Sequence, residues 1–357
     1  MYNERIKRVC GKMEERGLCQ LLVTDPISIF YLTGIKVHPG ERFWALLLGA
    51  SGEQLLFANR LFALSGQTVE TVLYSDSDDI RTVVPPHIKA GRIGVDKNMA
   101  ARFLLPVMES CGNSDFVLGS DCVDDVRAIK DETEKELMRI SSRINDECME
   151  KLAAFMHEGV TERECGEYLK GLYAAQGCEG LSFDPGIAFG KNAGDPHHKP
   201  DDTVLKEGDC IVINIGCIKD DYCSDMTRTF FWKKADPEYV RIYNIVREAN
   251  EKAEALVKEG VPICDIDAAA REHIASFGYG EYFTHRLGHF IGLEDHEKGD
   301  VSSVNTDPAV RDMVFSIEPG VYLQGRFGVR IEDLVIVTEE GCEILNHVDK
   351  ELCILGV

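Results

Sequence analysis

The sequence predicts an α/β (α+β) protein of two domains. Helix and strand signals alternate over roughly the first 120 residues, and a composition shift at Asp121–Val126 leads into a long amphipathic stretch. Beyond Gly177 the chain is rich in short strand-forming runs. With 357 residues it exceeds what one small core requires, and 44% apolar with 28% charged side chains is the balance of an ordinary globular protein. The boundary is expected near residue 125, giving domains 1–125 and 126–357.

In chain order, Glu4–Arg16 places Ile6, Val9 and Met13 on one helical face and stops at Gly17. Gln20–Val23 is a short apolar strand, and Ile29–Leu32 is a further element before Gly34. Trp44–Leu48 and Gln54–Phe57 flank Ser51-Gly52 and read as a hairpin. Val69–Tyr74 and Ile93–Asp96 are two more strands. The acidic stretch Asp121–Val126 reads as the joint. Ile129–Glu158 then forms a long helix with Leu137, Ile140, Ile144, Met149, Leu152 and Met156 near one stripe, ended by Gly159. A second helix, Thr161–Gln176, opens on Thr161-Glu-Arg-Glu164, the pattern of a capping box. Strands are expected at Ile187–Phe189, Asp209–Cys217, Asp225–Trp232, Met313–Ile317 and Ile331–Val337, with helices at Pro237–Glu259 and Ile263–Phe277. No internal repeat stands out.

Charge and cysteine usage narrow the function. The formal net charge is −22, from 39 basic and 61 acidic side chains, so phosphate-bearing nucleic acid is excluded as a partner. No apolar run approaches the roughly 20 residues of a membrane span, and the mixed-charge N-terminus carries no secretory signal. Thirteen cysteines, an odd number with no C-x-x-C pair, fit free thiols in a reducing cytoplasm. Phosphate-binding glycine loops, H-E-x-x-H and G-x-S-x-G are missing from the sequence.

The chemistry concentrates in five places of the second domain: Asp195-Pro-His-His-Lys-Pro200, Ile213-Asn-Ile-Gly216, Cys223-Ser-Asp-Met-Thr-Arg-Thr229, the run from His285 through Gly288-His289 to Asp295-His296-Glu297, and the pair Ser316-Ile-Glu-Pro-Gly320 with Val329-Arg-Ile-Glu-Asp333. Carboxylates set among apolar strand residues, as Asp225, Glu318 and Glu332 are, cost several kcal/mol or so unless a cation compensates them. One histidine among carboxylates is a mixed nitrogen and oxygen donor set that Mn²⁺, Co²⁺, Zn²⁺ or Fe²⁺ accepts.

These segments resemble, in order, the metal-ligand set of the pita-bread peptidases: Xaa-Pro dipeptidase (prolidase), Xaa-Pro aminopeptidase and methionine aminopeptidase. The N-terminal motifs Asp25-Pro26 and Tyr31-Leu-Thr-Gly34 resemble the proline-directed branch, and Arg127-Ala-Ile-Lys130 and Gly159-Val-Thr-Glu162 continue it, so the likeness spans nearly the whole chain. It implies a creatinase-type N-terminal domain followed by a pita-bread catalytic domain. The metal ligands would be Asn214, Asp225, His289, Glu318 and Glu332, holding two divalent ions, Mn²⁺ foremost with Co²⁺ or Zn²⁺ as substitutes. Such ions acidify a shared water into a nucleophile for the scissile carbonyl. By the same likeness Glu318 would shuttle the proton, and His197 and His296 would hold the substrate and stabilise the oxyanion. His285 and Arg330 would bind substrate, with Phe183 or Tyr322 walling the proline ring. Spacing alone does not choose between His197 and His198; the family pattern points to His197. The implied activity is hydrolysis of the Xaa-Pro bond in dipeptides or at peptide N-termini, by a cytoplasmic homodimer acting on small peptides.

One position departs from the family pattern, which has aspartate where this chain has Asn214. A neutral amide oxygen replaces a carboxylate, so one of the two ions is expected to be held more weakly. The departure also opens two alternatives, a creatinase-like C–N hydrolase that works without metal and a catalytically silent binding protein on the same fold. At Arg330 and Asp333 a plain structural ion pair competes with a functional role, and Cys217 and Cys223 are expected to be packing residues.

Overall fold

The computed structural model describes residues 2–64 and 69–357. The chain divides into two compact units, Met1–Arg127 and Ala128–Val357.

The first unit is a helix-flanked sheet. Helix α1 (Tyr2–Glu15) leads to β1 (Gln20–Val23), α2 (Pro26–Thr33), the hairpin β2 (Ala45–Gly49) and β3 (Gln54–Asn59), then β4 (Glu70–Tyr74), the short α3 (Ile80–Val83), β5 (Arg92–Val95), α4 (Ala101–Ser110), β6 (Asp115–Leu118) and α5 (Asp121–Ala128). The strand order is β4-β3-β2-β1-β5-β6, antiparallel at β3-β2-β1 and parallel elsewhere. The motif from Asp25 to Gly34 has a local cause. The Asp25 carboxylate caps α2 by accepting from the Ser28 amide at 2.7 Å, Pro26 starts the helix without needing an amide partner, and Gly34 ends it at φ 75°. Two helices were not foreseen. The acidic stretch read as a joint is the helix α5, and α4, unforeseen because Pro106 lies inside it, is a full helix.

The second unit builds one architecture twice. Its first half runs α6 (Glu132–Phe155), α7 (Glu162–Ala175), β7 (Gly180–Leu181), β8 (Gly186–Phe189), β9 (Cys210–Ile215), β10 (Cys217–Lys219), β11 (Tyr222–Cys223) and β12 (Met226–Trp232). The second half runs α8 (Pro237–Leu256), α9 (Ile263–Ser276), β13 (Gly288–Phe290), β14 (Glu297–Val301), β15 (Val314–Ile317), β16 (Gly320–Leu323), β17 (Phe327–Arg330), β18 (Asp333–Val337) and β19 (Cys342–Ile344), closing with β20 (Ile354–Leu355). Each half has a helix pair followed by a mainly antiparallel sheet, ordered β20-β12-β9-β8 and β14-β13-β15-β18-β19. The repeat lies in the architecture although none is visible in the sequence.

The expected helix from Ile129 begins at Glu132, because Asp131 and Glu134 form a capping box there. Its inward face is also displaced from the expected stripe. Met138, Ser141, Asn145, Cys148, Met149 and Leu152 are buried, while Leu137, Ile140 and Ile144 are half-buried flanks. Polar residues face inward because they bond to the sheet: Asn145 Nδ2 donates to the Ile215 carbonyl at 2.9 Å. The second half repeats the device, with Asn250 Nδ2 of α8 donating to the Ile317 carbonyl at 2.9 Å. Ile215 follows Asn214 and Ile317 precedes Glu318, so each leading helix clamps a strand at the point where a site residue emerges. The capping box at Thr161 and Glu164 is present at the start of α7.

Candidate metal centre and substrate cleft

Strand periodicity decides what faces the cleft. Along Asp225 to Thr229 alternate side chains point to opposite sides. Thr227 pairs with Asn214 across β12 and β9, and its backbone also bridges to Glu332, whose amide donates to the Thr227 carbonyl at 3.1 Å. Asn214, Asp225, Thr227 and Glu332 thereby converge from three strand segments. Arg228 points the other way and donates to Asp333 Oδ1 at 2.6 Å, with Lys350 Nζ 2.7 Å from Asp333 Oδ2. The expected rivalry at Arg330 and Asp333 resolves accordingly. Asp333 belongs to an ion-pair network behind the sheet, and Arg330 does not pair with it.

His289 on β13 completes the cluster. Its Nε2 lies 3.5 Å from Asp225 Oδ2, 3.7 Å from Glu318 Oε1 and 4.0 Å from Glu332 Oε1. Nδ1 lies 3.3 Å from the Phe290 carbonyl, which makes it the protonated nitrogen and leaves the Nε2 lone pair facing the carboxylates. Asp225, His289 and Glu332 are all buried, with donor atoms mutually within 4.8 Å. Burial pushes the Asp225 carboxyl up to about 7. It does the same for Glu332, with help from the neighbouring Asp225 charge. Glu318 is raised well above the usual range by burial and by Glu332. Burial and the adjacent His296 lower His289 to about 4, so its ring is neutral at physiological pH.

Two buried oxygens in the cleft lack any hydrogen-bond donor, Asn214 Oδ1 and Asp225 Oδ1. Among the described residues, His289 is the only ion-pair partner of Asp225, Glu318 and Glu332. Buried acceptors are costly when unsatisfied, and these three carboxylates crowd around one nearby guanidinium, Arg330, which bonds to Thr227 and Tyr322 and not to them, so the donor set still calls for a cation. The residues present therefore fit divalent metal. Asp225, His289, Glu318 and Glu332 would supply the ionic and imidazole donors, and Asn214 a neutral oxygen.

The cleft in front of this cluster measures about 670 Å³, the size of a small-ligand pocket. Arg330 lines it and is held by Thr227 Oγ1, which accepts from Nε at 2.9 Å, and by Tyr322 OH, which accepts from Nη1 at 3.1 Å. Thr227 Oγ1 in turn donates to Glu332 Oε2 at 2.6 Å. His285 Nε2 lies 2.9 Å from Tyr322 OH, and burial lowers its pKa to about 4. His296 stacks on His289 with ring centroids 3.9 Å apart, and its Nδ1 contacts Asp295 Oδ2 at 3.3 Å, a hydrogen bond that raises its pKa. His197 and Phe183 also line the cleft. The structure thus brings the nine candidate metal, catalytic and substrate residues and Phe183 to one cavity, while Tyr322 touches Arg330 and His285 without lining it. His198 reaches its edge but bonds to the buried Glu162, and the Cys217 and Cys223 thiols are buried. All thirteen cysteines are free. Sequence reasoning missed Thr227, which links the metal donors to Arg330, and Asp295, which orients His296. The alternating Thr-Arg-Thr run and the adjacency of Asp295 to His296 are the signals that point to them.

A catalytic unit of two architecturally repeated halves, with an imidazole and carboxylates gathered where their strands meet, defines a pita-bread peptidase. The chain belongs to the metallopeptidase family M24, whose profile matches residues 136–339, and residues 5–129 match the creatinase/prolidase N-terminal domain. An uncharacterized peptidase of Staphylococcus aureus (strain bovine RF122 / ET3-1) is 36% identical over 97% of this chain and 99% of its own. Among solved structures, a prolidase from Thermococcus sibiricus superposes with TM-score 0.93 at 33% identity, covering 99% of both chains. The dipeptidase PepE from Mycobacterium ulcerans gives 0.94 at 33%, over 100% of this chain and 98% of that one. An Xaa-Pro dipeptidase from Bacillus anthracis gives 0.91 at 29%, over 99% and 100%.

Proposed function

We propose that this protein is a metal-dependent dipeptidase that cleaves Xaa-Pro dipeptides, with unit Ala128–Val357 as its catalytic domain. The carrying observation is the hydrogen-bonded chain from Arg330 through Thr227 to Glu332. It sets a fixed guanidinium beside the donor cluster, where the free carboxylate of a short substrate would find a charged partner. The solved relatives named prolidase, dipeptidase and Xaa-Pro dipeptidase support the same reading.

Divalent ions held by Asp225, His289, Glu318 and Glu332 supply an acidified water and carbonyl polarisation. The chain's own groups do the rest. Glu318, ionised where a cation offsets its burial, takes the nucleophile's proton and returns it to the proline nitrogen. That nitrogen has no hydrogen in the intact amide and must gain one to leave. His197 and His296 hold the substrate and donate to the oxyanion. Arg330, with His285 and Tyr322 beside it, binds the terminal carboxylate, and Phe183 walls the pyrrolidine ring.

Asn214 makes the centre unequal. Two divalent ions bring four positive charges against three carboxylates, so one ion is held firmly and the other loosely. Mn²⁺ is the expected metal, with Co²⁺ or Zn²⁺ as substitutes. A homodimer in the cytoplasm completes the proposal, on family likeness and the free thiols. The testing experiment is a peptidase assay on Xaa-Pro dipeptides and longer Xaa-Pro peptides, with Mn²⁺, Co²⁺, Zn²⁺ or EDTA. Dipeptide cleavage that EDTA abolishes supports the reading. Activity surviving EDTA would favour the creatinase-like alternative, and failure on every peptide with all three metals would favour a silent binding protein.

A further inference from the structure

Outside the donor cluster, a carboxylate of the second unit with four N–H donors is Glu162, the first residue of α7, with a side chain that is 0% exposed. Its Oε1 accepts from the Phe189 amide at 2.7 Å and from Asn192 Nδ2 at 3.0 Å. Its Oε2 accepts from the Asp201 amide at 3.1 Å and lies 2.7 Å from His198 Nε2, which at that distance carries the proton. Asn192 Nδ2 also reaches Thr203 Oγ1 at 3.1 Å, while the backbone amides of Glu162 and Arg163 donate to the carbonyls of Thr203 and Asp201. One carboxylate thus fastens the end of β8 and both flanks of the segment 190–203. His197 rises from the middle of that segment into the cleft, its own amide bonded to Asp195 Oδ1 at 2.9 Å.

Glu162, His198 and Asp201 also have donor atoms close enough for a metal ion. A carboxylate has about four lone-pair sites, and four N–H donors already occupy those of Glu162. Each presents its positive end where a cation would have to sit, so the group is an anchor and not a second metal centre.

We propose that Glu162 is the positioning residue that holds the His197 imidazole at the substrate cleft. Its four bonds fix the backbone on both sides of His197, whose exposed side chain has no comparable restraint of its own. Displacing a catalytic group by about 1 Å costs on the order of 10²-fold in rate, so a clamp of this kind acts on turnover more than on ground-state binding. This inference rests on the peptidase reading and on the role given to His197.

The test is a double-mutant cycle with Mn²⁺ and an Xaa-Pro dipeptide, using wild type, Glu162→Gln, His197→Ala and the double variant, with Mn²⁺ affinity measured in parallel. Glu162→Gln is expected to lose on the order of 10²-fold in kcat, with KM and Mn²⁺ affinity little changed. The double variant is expected to be no worse than His197→Ala alone. Additive losses, or wild-type turnover in Glu162→Gln, would overturn the proposal. Should Glu162→Gln fail to fold, His198→Ala releases the same anchor and must show the same non-additivity. Amide hydrogen exchange gives a readout independent of turnover, since residues 190–203 should exchange faster in either anchor variant. If the wild type cleaves no Xaa-Pro peptide, the peptidase reading falls while exchange still decides the clamp, and unchanged protection of 190–203 rejects it.

Discussion

At the scale of single residues, the site is a question of which charges go uncompensated. Asn214 and Asp225 each leave a buried oxygen without a donor, and only one of the two is charged. Asn214→Asp should therefore tighten the weaker of two Mn²⁺ ions by about 10- to 100-fold, measured by calorimetry on chelator-stripped protein. An unchanged second affinity would show that residue 214 does not weaken the centre. Arg330 tests the substrate end. Losing a charged hydrogen bond costs roughly 1.5–3 kcal/mol, so Arg330→Ala should raise KM for a free dipeptide on the order of 10- to 100-fold while sparing Mn²⁺ binding. Capping the substrate's carboxyl as an amide should cost the wild type a similar factor and the variant little. Much of this was legible beforehand. Asp225, Glu318 and Glu332 announce themselves as charges among apolar strand residues, and His197, His285, His289, His296 and Arg330 by motif. Thr227 and Glu162 lie inside such motifs but show no role there, because a threonine on a strand and a glutamate at a helix start have ordinary local reasons to be there. Only tertiary contacts reveal what else they hold.

At the scale of elements, the site depends on strands that approach one another more closely than side chains usually permit. Gly288, beside His289 on β13, lies against β15, and a Cβ there would stand 1.8 Å from the Ser316 carbonyl oxygen. Gly288→Ala should cost about 3 kcal/mol or more of stability, read as a lower urea midpoint, and should displace His289 enough to weaken Mn²⁺ binding. Full stability with normal metal affinity would mean that β13 and β15 have slack. Elements with strong local signals were readable from sequence: Gln20–Val23 was foreseen residue for residue, and the helix after Thr161 follows from its capping box. Others were hidden for physical reasons. Pro106 masks α4, glycines break up the short strands β13, β16 and β17, and α6 turns Ser141 and Asn145 inward to bond strand carbonyls, which displaces its buried face from the apolar stripe.

At the scale of the whole molecule, the buried donors couple folding to protons and metal. Burial raises the Asp225 and Glu332 carboxyls to about 7, above their ordinary values of 3.8 and 4.5. Ion-free folded protein then holds protons that the unfolded chain has already released. The stability these groups contribute is complete below their unfolded values and is lost as pH rises through about 7. A bound cation takes the protons' place and binds more tightly as they leave. The gap in Tm between Mn²⁺-loaded and chelated protein should therefore widen from about pH 5 to about pH 8; a gap independent of pH would contradict the linkage. The measurement that tests the central claim most directly is a calorimetric Mn²⁺ titration of chelator-stripped wild type beside His289→Ala, in buffers of differing ionisation heat so that proton release is counted. The account predicts one tight and one loose ion per chain in the wild type, protons released on binding near pH 6, and loss of the tight ion in the variant. Wild type that takes up no Mn²⁺, or a variant that binds it as well as wild type does, would contradict the claim that these carboxylates and this imidazole exist to hold metal.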